Sequence, residues 1–201
     1  MRISVASATI LACLTVILLV PRTEGAVARR ESVLAWDEAD SVDCLTEISH
    51  LPQQRLAVGF DAPSWARSVT RMEIFIVRCC PDVPFPPPQE ANPFSAYVWA
   101  ASSVDPEQPG EPASAPLAVG WDYPDAAWLE LSFPGGVSID DPALFPEGRF
   151  YLGIQWEDRL DPCVGLDVSD PDGMTQWYDW SEWLAVPDGD AMIRAVVSDE
   201  Q

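Results

Sequence analysis

Residues 148–158 read GRFYLGIQWED, and residues 190–198 read DAMIRAVVS. In the first, Phe150, Leu152, Ile154 and Trp156 fall on one side of an extended segment, with Tyr151, Gly153 and Gln155 on the other. In the second, Met192, Arg194 and Val196 alternate with Ile193, Ala195 and Val197. A period of two is what a strand needs to bury one face of a sheet. Between the two lies a Trp/Tyr-rich stretch, MTQWYDWSEW at 174–183, that reads as a hairpin. The C-terminal fifth of the chain is thus the closing part of a β-sandwich.

Working outward, the rest of the chain is a succession of short strand-like runs: 33–36, 55–60, 72–77, 95–100, 117–121 and 128–133. They are rich in Val, Ile, Trp and Phe and are separated by Pro, Gly and Asp clusters, a pattern that predicts an all-β chain. The expected architecture is an antiparallel two-sheet β-sandwich, jelly-roll-like, in a single domain over residues 29–201. Helical periodicity is closest to present at Ala39–Ser49, which reads equally as an irregular strand. Two breaks are expected as loops. Residues 79–93 (CCPDVPFPPPQEANP) hold six prolines, which exclude a helix or a central strand. Residues 104–116 (VDPEQPGEPASAP) are polar and rich in turn formers.

Residues 1–28 carry Arg2, an apolar run from Ile10 to Val20, and Ala26-Val27-Ala28 in small-x-small form. The run is short for a membrane span and has the flanks of a cleaved secretory signal. An uncleaved anchor is the alternative. Export to a secreted, periplasmic or cell-surface location agrees with the cysteines. Beyond Cys13 there are four: Cys44, Cys79, Cys80 and Cys163. Four cysteines allow three pairings. A bridge between the adjacent Cys79 and Cys80 would be strained, so each is expected to reach out separately, to Cys44 and Cys163. No C-x-x-C or Cys/His spacing suits zinc.

The chain has a formal net charge of −21 and every basic residue is arginine. Such an acidic surface repels nucleic acid and anionic membranes and excludes both as partners. With 48% apolar residues and nine tryptophans, it can still bury a core.

The chemistry-bearing residues are few. His50 is the only histidine, and no nucleophile-elbow, zincin, P-loop or dinucleotide motif occurs. Glu73 and Glu130 are the carboxylates best placed for a glycosidase pair, but their apolar neighbours put both on a solvated face. No catalytic residue is assigned. Trp177, Tyr178, Trp180 and Trp183 are the candidate ligand-binding set, because aromatic rings stack on the apolar faces of sugars. Asp179 and Glu182 among them could accept hydroxyl hydrogen bonds. The competing reading makes those rings core filling. Asp167, Asp170 and Asp172, leading into Gly173, form an oxygen-rich stretch of the kind that wraps calcium. It matches only a fragment of a calcium loop and equally suits an ordinary turn. Asp140-Asp141 is a weaker pair.

Leu34-Ala35-Trp36-Asp37 resembles the LAYDDG opening of accessory β-sandwich domains in secreted multidomain bacterial proteins. Leu56 to Pro63 and Val69 to Val77 are similar to the two strands that follow it there. Phe150 to Ile154 resembles their FYVGV strand, and Met192 to Ala195 their closing LMIRAVV. The resemblance implies an accessory or binding domain with no catalytic residues and no obligatory cofactor. The expected function is non-catalytic binding of a surface protein or polysaccharide. A purely structural envelope component is the alternative, and a small carbohydrate-active hydrolase the third reading.

Overall fold

Phe150, Leu152, Ile154 and Trp156 are all fully buried, on one face of β9 (Arg149–Trp156). The strand lies between β3 (Arg55–Asp61) and β5 (Phe94–Ala101) and is antiparallel to both. A computed structural model describes residues 29–36, 42–44, 52–77, 94–120, 126–157, 163–169, 174–186 and 189–200. Among them there is no α-helix, and the only helical piece is a 3-10 turn at Pro146–Gly148.

The strands form two antiparallel sheets, as the alternation predicts. The first carries β1 (Glu31–Leu34), β14 (Ile193–Ser198), β4 (Ser68–Val77) and β8 (Ala126–Ser138). At the far end of β4 it continues into β10 (Cys163–Asp167), which also pairs with β2 (Val42–Cys44) and β13 (Asp190–Ala191). The second sheet runs β12 (Trp183–Ala185), β11 (Thr175–Tyr178), β3, β9, β5, with β6 (Pro109–Pro112) and β7 (Leu117–Val119) both on β5.

Alternate residues of the two sheets face each other across one core. Leu56, Val58, Phe60, Phe94, Val98, Leu152 and Ile154 of the second sheet meet Val69, Met72, Ile74, Ile193, Ala195 and Val197 of the first. Burying each large side chain stabilises by about 1.5–3 kcal/mol. Met192 and Val196, on the opposite parity, are buried as well, so the C-terminal strand is covered on both faces.

Several local expectations change. Residues 104–116 were expected as a loop, but Pro109–Pro112 pairs with β5, Ala101 opposite Pro109 and Trp99 opposite Pro112. Proline is tolerated there because an edge strand needs amide donors on one side only. The run at 128–133 extends to Ser138 through an irregularity: Arg71 faces Ser132, yet Val69 faces Val137. Phe133 to Gly136 thus stand opposite Thr70 alone. Gly135 and Gly136 take φ of 78° and 72°, and the excursion carries Phe133 into the core. Within the helical candidate 39–49 the described residues are strand β2. The expected export segment 1–28, His50, the expected loop 79–93 with Cys79 and Cys80, and Asp170 and Asp172 lie outside the described residues.

Gly153 marks the tightest contact between β9 and β3. A Cβ there would overlap the Leu56 carbonyl oxygen and come within 2.7 Å of Ala57 Cα, both backbone atoms that cannot swing away. Gly153→Ala should therefore cost about 3 kcal/mol or more in urea unfolding. A loss under about 1 kcal/mol would show that the two strands are not so closely apposed.

Candidate functional site

On the face of the second sheet turned away from the core, register fixes which side chains are neighbours. Trp183 lies opposite Tyr178, Tyr178 opposite Arg55, Arg55 opposite Gln155, and Gln155 opposite Ser95. These five form a row across β12, β11, β3, β9 and β5, about 19 Å long at the usual ~4.8 Å strand spacing. The next row is Gln176, Ala57, Gly153 and Tyr97. Ala57 and Gly153 leave the middle of the sheet nearly bare, and indoles fill it. Trp99 and Trp183 meet edge to face at 6.0 Å, Tyr97 stacks on Trp99 at 5.2 Å, and Tyr178 tilts against Trp183 at 5.3 Å. Ala57, Trp99, Ala101 and Tyr151 are the buried floor of this second cluster, with Tyr97 and Trp183 half-buried at its border. Trp99 Nε1–H is buried without a hydrogen-bond acceptor, a local cost that the burial of the indole has to offset.

Polar groups continue the row. Arg55 Nε donates to Gln155 Oε1 at 3.0 Å, and its guanidinium lies 5.2 Å from the Tyr178 ring centre. The Ser95 hydroxyl donates to Glu157 Oε1 at 2.9 Å, and Gln155 Nε2 reaches both Glu157 and Gln53 at 3.4 Å. Burial raises the Tyr97 phenol pKa, Glu157 adds to the rise, and Arg55 opposes it. The result is a half-exposed aromatic surface with hydrogen-bonding groups along one side.

The β11–β12 turn stands at the end of the row. Asp179 Oδ1 accepts from the Ser181 amide at 3.0 Å, the Ser181 hydroxyl at 2.7 Å and the Glu182 amide at 3.1 Å. These donors, the Ser181 hydroxyl first, hold its carboxyl below the usual carboxylate range. Asp179 therefore shapes the turn through Oδ1. Trp180 is 50% exposed at a φ of 79°, where a bulky side chain costs about 1–2 kcal/mol. Its Nε1–H donates to the Pro52 carbonyl at 3.1 Å.

The four aromatic residues proposed from sequence thus separate. Trp177 points inward, opposite Leu56 and Leu184, and packs on the main core. Tyr178 and Trp183 point outward, and Trp180 crowns the turn. Sequence reading missed Arg55, Tyr97, Trp99 and Tyr151, which join them from strands far away in the chain. The i, i+2 spacing of Tyr97 and Trp99 was the available signal.

The other candidates look different. Asp167 is buried, and its Oδ1 accepts from the Ser169 amide and hydroxyl at 3.0 and 2.6 Å, the geometry of a turn. Asp190, also buried, stands opposite it. Among the described residues no group of three or more His, Cys, Asp or Glu could hold a metal ion. Glu73 and Glu130 face each other on the outer side of the first sheet, with Arg71 at 3.2 Å and 3.7 Å from them. A cavity of about 460 Å³ opens nearby, lined by Arg29, Glu31, Ser68, Thr70, Arg71 and Glu200, among others. Its charges are mutually paired, Arg29 with Glu31 at 2.8 Å and with Glu200 at 3.6 Å.

Comparison with known proteins returns no match from family models, curated proteins or solved structures. The chemistry of the outer face has to be argued from its own residues.

Tyr151 anchors that face. Its ring packs beside Gly59, where a Cβ would come within 2.9 Å of Cε1. Its hydroxyl donates to the Pro106 carbonyl at 2.9 Å, tying down the segment before β6. Burial pushes the phenol up to about 12; Arg149 opposes the rise, and Asp105 and Glu107 add to it. An unfolded tyrosine ionises near 10, so this stabilisation is complete below about pH 10 and is lost as pH rises towards about 12. In that window one proton accounts for a fall of up to about 1.4 kcal/mol per pH unit. Tyr151→Phe should flatten the alkaline limb of the stability curve measured by urea unfolding. An unchanged limb would mean that the phenol is not held neutral by the fold.

Proposed function

We propose that this chain is a secreted, non-catalytic β-sandwich module that binds polysaccharide on the outer face of its second sheet. The observation that carries the reading is Trp180. A half-exposed indole, tied by one hydrogen bond to the Pro52 carbonyl and kept at a positive φ, holds an apolar ring open to solvent at a backbone cost, and such strain is characteristic of binding sites. Beside it, Tyr178 and Trp183 offer rings to the apolar faces of sugars, while half-buried Arg55 and Glu157 supply a donor and an acceptor for hydroxyls, held in place by the buried Gln155 and Ser95. The acidic surface favours a neutral polysaccharide over an acidic one.

The accessory role fits this picture, since a ready-made platform without a catalytic group serves attachment. Export fits it too. Cys163 stands opposite Val77, the last residue of β4, and Cys79 follows Val77 by two positions in the sequence. Non-reducing peptide mapping of the exported protein should find Cys163 joined to Cys79 or Cys80. Free thiols at all three positions would argue for a reducing compartment.

A panel of soluble neutral and acidic glycans, titrated with calcium and with a chelator, tests the function. Trp180→Gly exchanges the hydrogen bond to Pro52 and the covered half of the ring for relief of backbone strain, so the variant should stay folded and within about 2 kcal/mol of the parent, while binding falls about tenfold or more. Tyr97→Ala should weaken binding without unfolding the sandwich. Retained affinity in Trp180→Gly, or no affinity of the parent for any glycan, would leave the structural-component reading in its place.

A further inference from the structure

Among the described residues β8 is the longest strand, and only one of its edges is paired. Nine of its residues pair with β4, and no hydrogen bond joins its other edge to any strand among the described residues. Phe75 N–H donates to Met192 O, so the odd residues of β4 turn their amides away from β8 and the even ones towards it. Met72, Ile74 and Ile76 thus bond Leu131, Leu129 and Ala127. The amides and carbonyls of Ala126, Trp128, Glu130 and Ser132 point outward from the sheet.

The remaining edges are blunted in ways that hinder pairing. β12, β7 and β2 have three residues each and β13 two, β6 has proline at both ends, and β1 is four residues long and carries exposed Glu31. The stretch 126–132 of β8 has neither proline nor basic residue, and Glu130 is its only charge. Leu129 and Leu131, partly buried against the core, leave an apolar rim open between the sheets at this edge.

We propose that β8 pairs with β8 of a second copy of this chain, joining the two first sheets into one continuous sheet about a two-fold axis at Leu129. Antiparallel pairing about that residue matches edge-facing residues with edge-facing residues: Trp128 with Glu130 of the other copy, and Ala126 with Ser132. It sets Leu129 against its own equivalent and Ala127 against Leu131 on the core side, extending the apolar rim across the join. On the outer side it brings each Glu130 beside the other copy's Trp128, over whose ring the Arg194 guanidinium lies at 3.9 Å. Moving the axis to Glu130 would set two carboxylates face to face, and moving it to Trp128 would shorten the paired segment. The excursion at 133–136 ends the pairing on either side. The pairing adds an interaction to the sugar-binding reading and does not depend on it, because it uses the other sheet.

Sedimentation of the purified protein over a concentration series tests it. Both copies are strongly negative, so the dimer should tighten about tenfold or more between roughly 0.05 M and 1 M salt, as the Debye length falls to about 3 Å. Glu130→Pro removes an edge-facing donor and none of the bonds to β4, so it should weaken the dimer at least about 30-fold with an unchanged circular dichroism spectrum. In the unmutated protein, amide exchange at Trp128, Glu130 and Ser132 should slow as concentration rises. A monomer under all conditions, a dimer indifferent to Glu130→Pro, or no concentration-dependent protection at these amides would each overturn the proposal.

Discussion

The structure depends on β9 being buried on both of its faces. Its inward side chains form the middle of the sandwich core, and its outward ones, Tyr151, Gly153 and Gln155, form the floor of the aromatic face. A strand covered on two sides must satisfy all its backbone groups through its neighbours, because water cannot reach them. Pairing with β3 and β5 over seven positions each does so. Gly153 then follows as a requirement, since β3 comes too close for any side chain. The bare strip made by Gly153 and Ala57 is in turn what allows two indoles from distant strands to lie over the sheet and meet.

That arrangement divides the aromatic residues by task. Trp99 and most of Trp183 cover the strip and stabilise by burial, as large aromatic side chains do wherever water can be excluded. Trp180 gains little from burial, and its backbone sits where glycine would be more comfortable. The contrast distinguishes packing from recognition better than ring count does. The polar row points the same way: Arg55, Gln155, Ser95 and Glu157 bond one another, which holds each in place before any ligand arrives.

Much of the fold was legible in the sequence because strand alternation is a local property. Phe150, Leu152, Ile154 and Trp156, and likewise Ile193, Ala195 and Val197, face inward as their spacing requires. The pieces that were missed depend on partners far away in the chain. Pro109–Pro112 looks like a loop until β5 is found beside it, for an edge strand asks too little of its backbone to leave a pattern. Phe133 reaches the core only because two glycines with positive φ turn the chain after it. The candidate site was half legible for the same reason. Tyr178 and Trp183 stand close together in sequence, whereas Arg55 and Tyr97 join them only through sheet order. The outward direction of Tyr178 and inward direction of Trp177 follow from alternation, but which of those faces is the core does not.

The acidic surface bears differently on the two faces of the sandwich. Charge acts over about 8 Å at physiological salt, so a uniform excess of carboxylates opposes any approach by another copy but decides little inside a contact. What happens within the contact is set by the few groups that touch. Along β8 those are outward amides, two leucines and one glutamate, a set whose hydrogen-bonding demand an identical strand can meet. Along the outer row of the second sheet they are rings and neutral or internally paired polar groups, to which an uncharged hydroxylated chain, the ligand proposed above, could bind without crossing the repulsion. Distributed negative charge would thus act as a filter over both surfaces: it opposes polyanions, bears little on an uncharged ligand, and makes the proposed self-pairing conditional on salt.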